Sequence, residues 1–541
     1  MKNFDTFGVM IDMSRNAVMS MEGLRRFLPI LADMGYNCVM LYTEDTYEVD
    51  GEPYFGYMRG RYSKAEMKEL DAFANSLGMT VIPCIQTLAH MNAAFRWKQI
   101  PKDCDDILLT DDERTYELID RMFASLSECF ASRKIQIGMD EAHMLGRGKH
   151  LDIHGYEPVH AIMKRHLARI CEIAAKYDYE LLVWSDMFFR PWNNGAYYVS
   201  KRVVPKEVID SLPESVIPVY WDYYQSREEI YSDMMENHKQ LSDKTWFAGG
   251  AWSWQGLIPY NRFTLESMLP ALNACKKHGI RNVVMTMWGD DGAECSHFSQ
   301  LPSLYYMAEY AKGNADPERI KAGFQERFGL DFDSFMQIDC PNDVIPYEGR
   351  PLNPSKYMLY SDYFNGFMDY TILEGGGKRY AEFAKTLNEI ANKSHAFGYV
   401  FETAARLCDV LEIKYELGVR TRNAYQAGDK DTLRSLAENE YAELAIRLDV
   451  FAKAFERQWM KDNKPHGFDV QDLRLGGLLR RTDACRRRLL AYVNGEIERI
   501  DELDETLLPV GKQGASTRLN LAPINQTVNL IHHGHVAGRM P

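Results

Sequence analysis

Phe7-Gly8-Val9-Met10-Ile11 is an almost wholly apolar run, and the stretch after it, 21–34, carries Leu24, Phe27, Leu28 and Leu31 on one helical face. A buried strand followed by an amphipathic helix is a β-then-α unit. The alternation recurs, with strand candidates at 38–42, 80–85, 135–138, 181–184, 217–220, 245–248 and 282–287 and helical patterns at 64–77, 115–130, 159–177 and 265–278. Apolar strands joined by helices imply a parallel sheet covered on both faces. Eight such units fit a closed α/β architecture, the (β/α)8 TIM barrel, over residues 1–312. An open doubly wound sheet is the second choice. It calls for a glycine-rich phosphate turn after the first strand, and Ile11-Asp12-Met13-Ser14-Arg15-Asn16 is not one.

The chain has 541 residues, 46% of them hydrophobic, more than one core usually serves. Beyond Gly313-Asn314 the sequence is punctuated by prolines, at Cys340-Pro341-Asn342, Ile345-Pro346 and Arg350-Pro351-Leu352-Asn353-Pro354, which break long elements. Helical patterns then run over 378–392, 396–426, 430–463 and 469–503, so residues 313–541 read as a mainly α-helical C-terminal domain, with 527–532 alternating like a short terminal strand. Glu374-Gly375-Gly376-Gly377-Lys378 lacks a preceding strand and a Lys-Ser/Thr ending, so it reads as a hinge or turn rather than a phosphate loop. His532, His533 and His535 read as a tail cluster with no ligand role.

A net charge of −14 argues against nucleic-acid or acidic-membrane partners, and Arg486-Arg487-Arg488 reads as a solvated helical face. Met1-Lys2-Asn3-Phe4-Asp5 leads straight into a strand without a signal-type apolar region, and no run is long enough to cross a bilayer. Ten cysteines without metal-type spacing suit reduced thiols. The expectations are a cytoplasmic protein without disulfides, metal or cofactor, and a homodimer formed through the helical domain.

In such a barrel the chemistry gathers at the C-terminal ends of the strands. The residues after each strand are polar and aromatic here: Asp12 and Arg15; Glu44 and Asp45; His90; Asp140 and Glu141; Trp184 and Asp186; Trp221, Asp222, Tyr223 and Tyr224; Trp252 and Trp254; Trp288, Asp290 and Asp291. Carboxylates walled by indoles suggest a sugar site, because pyranose faces stack on aromatics while carboxylates and Arg bind hydroxyls.

Within Lys134-Ile135-Gln136-Ile137-Gly138-Met139-Asp140-Glu141-Ala142-His143, two adjacent carboxylates converge on one ligand only where the strand is ending, and Gly138 helps that close approach. A glycosidase with two protein carboxylates needs a second one across the bond. In retaining barrels it commonly comes from strand 7, which here reads Thr245-Trp246-Phe247-Ala248-Gly249-Gly250-Ala251-Trp252, without a carboxylate. Consecutive carboxylates suit a substrate whose own acetamido oxygen is the nucleophile: Glu141 protonates the leaving oxygen and Asp140 holds the acetamido N–H.

These segments resemble glycoside hydrolase family 20, the β-N-acetylhexosaminidases. Residues 135–143 are similar to its His-x-Gly-Gly-Asp-Glu motif, departing at Gln136 and Met139. Ile11-Asp12-Met13-Ser14-Arg15 is similar to its strand-1 segment, so the resemblance gives Arg15 the non-reducing-end hydroxyls. Ile82-Pro83-Cys84-Ile85-Gln86-Thr87-Leu88-Ala89-His90 and Leu41-Tyr42-Thr43-Glu44-Asp45 align with two further segments and imply a relay from Glu44 or Asp45 through His90 to Glu141. Trp184, Trp221 and Trp288 match the aromatic pocket around the acetamido group, and Asp290 the acidic residue on the O4 and O6 side. The family's Tyr after strand 7 is replaced by Ala251-Trp252-Ser253-Trp254, so Tyr223 or Tyr224 is expected to stand in, and the family's small N-terminal α/β domain is missing, as in a compact bacterial subgroup. The resemblance implies an exo-acting retaining β-N-acetylhexosaminidase cleaving terminal GlcNAc or GalNAc from small oligosaccharides. The alternatives are another barrel enzyme, such as a glycosidase using two protein carboxylates, and a non-catalytic sugar-binding protein.

Overall fold

A computed structural model describes residues 3–290, 292–346, 351–366 and 368–508. Eight strands, β1 (Thr6–Asp12), β2 (Cys38–Tyr42), β3 (Thr80–Cys84), β4 (Lys134–Gln136), β5 (Glu180–Trp184), β6 (Ile217–Trp221), β7 (Trp246–Gly250) and β8 (Asn282–Met287), close into one parallel barrel in chain order, with β8 pairing back on β1. This is the architecture expected from the repeated unit, and the open sheet falls. The strands are buried nearly throughout because the barrel interior covers one face and helices such as Met21–Met34, Val159–Ala175 and Asn261–His278 cover the other. Their starts are fixed locally: Ser20 Oγ accepts from Gly23 N, and Ser63 and Glu66 form a capping box on Lys64–Ser76.

β4 departs from expectation. It ends at Gln136, not at 138, and pairs with β3 through one register position, Cys84 with Gln136. Gly138, Met139 and Glu141 take positive φ of 76°, 71° and 51°, so the chain leaves the ladder in a tight left-handed turn that swings Asp140 and Glu141 over the barrel mouth. Gly138 is required there, since a Cβ would lie 2.0 Å from Gln86 Oε1.

Beyond Lys312 the described chain is mainly helical. Pro354, expected to break a helix, instead begins one: it stands in the first turn of Pro354–Tyr360, as Pro317 does in Pro317–Phe328, where a fixed φ and a missing N–H are harmless. The helix expected over 430–463 is divided at Asn439 into Lys430–Glu438 and Glu440–Asp462. The one expected over 469–503 runs Phe468–Val493 and stops where Gly495 turns left-handed, before a short Asp501–Asp504 helix. The glycine run read as a hinge opens the helix Gly376–Lys393 at a close crossing with Gly398–Gln426; a Cβ on Gly376 would lie 2.1 Å from the Tyr415 ring. The expected strand at 527–532 and His532, His533 and His535 lie outside the described residues.

The helical region docks on the barrel mouth. After Glu440–Asp462 the chain runs along the β1 loop: Ser20 N donates to Asp462 O (3.0 Å) and Lys464 N to Val18 O (2.8 Å), and Met19 bridges Asn463.

Candidate active site

The strand-end carboxylates sort into two groups. Asp12 Oδ1 accepts from Ser14 N (2.8 Å) and its Oδ2 from Gly289 N (3.0 Å), tying the end of β1 to the end of β8. Asp45 is held by Arg59 at 3.0 Å, and Asp222 accepts from the Tyr198 and Tyr220 hydroxyls at 3.2 and 2.9 Å. These three are structural. Glu44, Asp140, Glu141, Asp186 and Asp290 remain at the mouth, and Asp291 lies outside the described residues.

Asp140 is 8% exposed. Its Oδ1 accepts from Gln86 Nε2 (2.8 Å), and His90 Nε2 stands 3.2 Å from Oδ2. Burial alone would raise its pKa, but the charge of His90 and the donors around it outweigh burial and hold the carboxyl below its ordinary value. His90 is raised in turn: burial would lower it, and the Asp140 charge overrides that. The two form a carboxylate–imidazolium pair. Glu141 is more open, with its side chain 32% exposed, Oε2 lying 4.0 Å from His90 Nε2 and Oε1 3.7 Å from Arg190 Nη2.

Asp186 stands behind this pair, and its place at the end of β5 gave no sign of its role. It is fully buried; its Oδ2 accepts from Glu141 N (3.0 Å) and Arg190 Nε (2.9 Å), and its Oδ1 from Trp221 Nε1 (3.4 Å). Burial, reinforced by the charges of Asp140 and Glu141, pushes its carboxyl up to about 7. Arg190 was missed too, although its spacing of four residues from Asp186 is that of an ion pair across one helical turn. Of the two carboxylates expected to feed the relay, Asp45 is taken by Arg59 while Glu44 stays close enough for its charge to act on His90; a third, Asp106, lies 3.8 Å from His90 Nδ1 and also accepts from His90 N. Asp106 lies sixteen positions beyond His90, and no spacing rule pointed to it.

On the opposite side, Arg15 Nη1 lies 3.1 Å from Glu44 Oε1, which also accepts from the Tyr42 hydroxyl (3.2 Å). Burial pushes Glu44 up to about 7 against the pull of Arg15. Burial also works against the Arg15 charge, but Glu44, Tyr42, Asp12 and Asp290 more than offset it. Arg15 Nε is buried without a hydrogen-bond partner among the described residues, and Asp290 is exposed at the rim.

The aromatic wall is continuous. Trp221 stacks on Tyr223 with centroids 5.5 Å apart and planes at 17°, Trp288 Nε1 donates to Tyr223 Oη (3.0 Å), and Trp184 lies 6.1 Å from Trp288. Trp252 is set back from it. It is 1% exposed, packs on Trp254 and Phe263, and donates Nε1 to Tyr223 O (2.7 Å), so it supports Tyr223 from behind, in contrast to the expected ligand wall. Gly250 makes room for that ring, since a Cβ there would lie 2.8 to 2.9 Å from Tyr223 atoms.

Among the described residues one group of side chains has metal-type spacing: Asp111, His150 and His154 offer ligand atoms within 4.8 Å of one another. Arg165 Nη2 lies 2.9 Å from Asp111 Oδ2, and the His150 ring engages Thr110 and Glu157, so these side chains are tied into an ion-pair knot between the loops that follow β3 and β4.

A closed barrel that brings an acid pair, a half-buried arginine and an indole wall to its mouth has the make-up of a glycoside hydrolase. A model of the glycosyl hydrolase family 20 catalytic domain matches residues 4–232, and one described as the Glycoside Hydrolase 20C C-terminal domain matches 331–521. The chain belongs to glycoside hydrolase family 20. It is similar to "Hexosaminidase D" of Bos taurus, 22% identical over 336 residues that make up 57% of this chain and 92% of the relative. A 213-residue match to "Hexosaminidase D" of Homo sapiens, 24% identical, covers 37% of this chain and 41% of that one. A solved structure titled as a GH20 exo β-N-acetylglucosaminidase from Vibrio harveyi with N-acetylglucosamine is 14% identical, with a TM-score of 0.47, 62% of this chain and 58% of that one being covered.

Proposed function

We propose that the protein is an exo-acting, retaining β-N-acetylhexosaminidase that removes a terminal β-linked GlcNAc or GalNAc by substrate-assisted catalysis. The observation that carries this reading is the pairing of an ionised, donor-surrounded Asp140 with the more open Glu141, while Asp186 beside them has both oxygens engaged and is closed to substrate. A buried carboxyl engaged in this way cannot attack an anomeric carbon, which argues against two protein carboxylates.

Glu141 gives its proton to the glycosidic oxygen as the acetamido carbonyl oxygen attacks C1 from the opposite face; the C1–O bond breaks and the aglycone leaves as an alcohol. Asp140, acceptor-only, takes the acetamido N–H and stabilises the positive charge that develops on the oxazolinium ring. Glu141 then removes a proton from water as the oxygen of that water bonds to C1 and the ring opens, which restores the acid and retains the configuration. Because Trp288 donates to Tyr223 Oη, the phenol proton is left to donate to the acetamido oxygen, the task of the Tyr absent after β7. Trp184, Trp221 and Trp288 close around the acetamido group, and Arg15 and Asp290 take the non-reducing-end hydroxyls.

The test is hydrolysis of aryl β-GlcNAc, β-GalNAc and β-glucoside substrates by wild type and Asp140→Ala, with and without a thiazoline mimic of the cyclised intermediate. Turnover confined to N-acetylated substrates, thiazoline inhibition and loss of activity in the variant are expected. Comparable turnover of the glucoside overturns the mechanism, and no turnover at all favours a sugar-binding protein. We further read residues 1–312 as the catalytic domain and 313 onward as a helical domain. Ten free thiols support a reducing, cytoplasmic setting, and no helix among the described residues is long and apolar enough to cross a membrane. Homodimerisation through the helical domain, supported by exposed Ile446 and Val450, is tested by light scattering; the mass of one chain rules it out.

A further inference from the structure

We propose that the helical region is part of the sugar-recognition apparatus: a buried Lys356–Glu294–Arg474 cluster and the 462–467 strap set the β1 and β8 loops where Arg15 and Asp290 read the non-reducing-end hydroxyls. The inference rests on the functional reading above and gives the helical region a task in it.

Glu294 lies four residues beyond Asp290, in the loop that leaves β8. It is 3% exposed, and its oxygens meet Arg474 Nη1 at 2.8 Å and Lys356 Nζ at 2.9 Å, on two cations each 2% exposed. Both cations come from the helical region, Arg474 from Phe468–Val493 and Lys356 from Pro354–Tyr360. Gly292, between Asp290 and Glu294, has φ 118°, and a Cβ there would lie 2.9 Å from Arg474 Nη1 and 3.3 Å from Asn16 Nδ2. The loop backbone is thus seated directly on the guanidinium and on the neighbour of Arg15.

Asn16 itself has φ 88°, and its Nδ2 donates to Gly292 O at 3.5 Å, joining the two loops. It is pressed from outside by Gly467, whose Cβ would lie 2.4 Å from Asn16 O. Asp462 completes the strap. Its side chain accepts from Ser296 Oγ (2.6 Å) in the β8 loop, and its carbonyl accepts from Ser20 N (3.0 Å) at the end of the β1 loop.

Three buried charges are an expensive way to join two regions, since apolar packing of equal volume often does it better; what such a cluster supplies is a fixed register. Here the register is that of the loop carrying Asp290 against the loop carrying Arg15.

The test uses a ratio that partial misfolding does not change: kcat/KM for an aryl β-GlcNAc over kcat/KM for its 4-deoxy analogue. Wild type gives the full ratio, and Asp290→Ala sets the value without that reading. Arg474→Lys and Glu294→Gln are expected to lower the ratio by about tenfold, the worth of one charge-assisted hydrogen bond, and to raise KM more than they lower kcat. An unchanged ratio in active variants overturns the inference and leaves the activity standing; no turnover by wild type overturns both. Should the variants fail to fold, amide exchange of the wild-type chain decides: thiazoline must slow exchange in 288–296 and 468–478 together, and protection confined to the first segment overturns the inference.

Discussion

Asp186→Asn separates positioning from chemistry. In the wild type one carboxylate oxygen accepts from Glu141 N at 3.0 Å and Arg190 Nε at 2.9 Å, and the other from Trp221 Nε1 at 3.4 Å. An amide offers one acceptor oxygen, so either its NH2 faces the Trp221 N–H or the Glu141–Arg190 side loses its acceptor, and the charge facing Arg190 is lost in both cases. A charge-assisted hydrogen bond is worth about 1.5–3 kcal/mol, so if this one serves to aim Glu141, kcat/KM falls by about 10- to 100-fold. The assay is hydrolysis of two aryl β-GlcNAc substrates, one leaving as 2,4-dinitrophenolate, which needs no proton, and one as 4-methylumbelliferone, which benefits from an acid. The loss is expected with the poor leaving group and largely absent with the good one, as for a partial Glu141→Gln. Equal losses on both substrates would refute the positioning of the acid by Asp186.

Tyr223→Phe removes the proposed donor to the acetamido oxygen and is expected to cost about 10²-fold in kcat with little change in melting temperature, while activity within a few-fold of wild type returns the task to another residue. His90→Asn removes the largest influence opposing the burial of Asp140 and leaves only the Gln86 and backbone donors, so the Asp140 pKa rises and the acidic limb of kcat/KM moves toward neutrality; an unmoved limb denies the pair its role. Asp339, buried beside Asn261 and Arg262 N, is pushed up to about 7 from 3.8 by its burial. Its folded form keeps a proton that the unfolded chain releases, so its contribution to stability is complete below about pH 4 and lost as pH rises through about 7. The melting temperature of Asp339→Asn relative to wild type should therefore climb over that interval and then level, and a pH-independent difference contradicts the assignment.

The barrel was legible because burial on both faces writes strands as apolar runs, and Asn282–Met287 and Met21–Met34 coincide with their patterns. The end of β4 was not, because Met139 and Glu141 give no sequence sign of the left-handed backbone they adopt. Within the site, residues displayed at strand ends were readable: Asp140, Glu141, His90 and Arg15 all reach the mouth. What escaped is whatever depends on loop paths, such as Asp106 beside His90, or on who reaches a carboxylate first, as Arg59 does at Asp45. Composition at a strand end shows that carboxylates are present; only tertiary structure shows which of them are already engaged.

That sorting decides the chemistry. A mouth with five unpaired carboxylates would repel itself and protonate indiscriminately, so each must be given a state by its neighbours. Glu44 and Asp186, both buried and both raised to about 7, act as acceptors for Arg15 and Arg190 on opposite sides of the pocket. Asp140 is driven the other way by His90 and the Gln86 amide, which keeps it an acceptor-only group, as the proposed mechanism requires of the partner of an acetamido N–H. Glu141 has the more open side chain of the acid pair, which suits the acid and base role proposed for it. On the proposed mechanism, the acid is therefore told apart from its neighbour less by the Asp-Glu dipeptide than by the imidazolium beside Asp140.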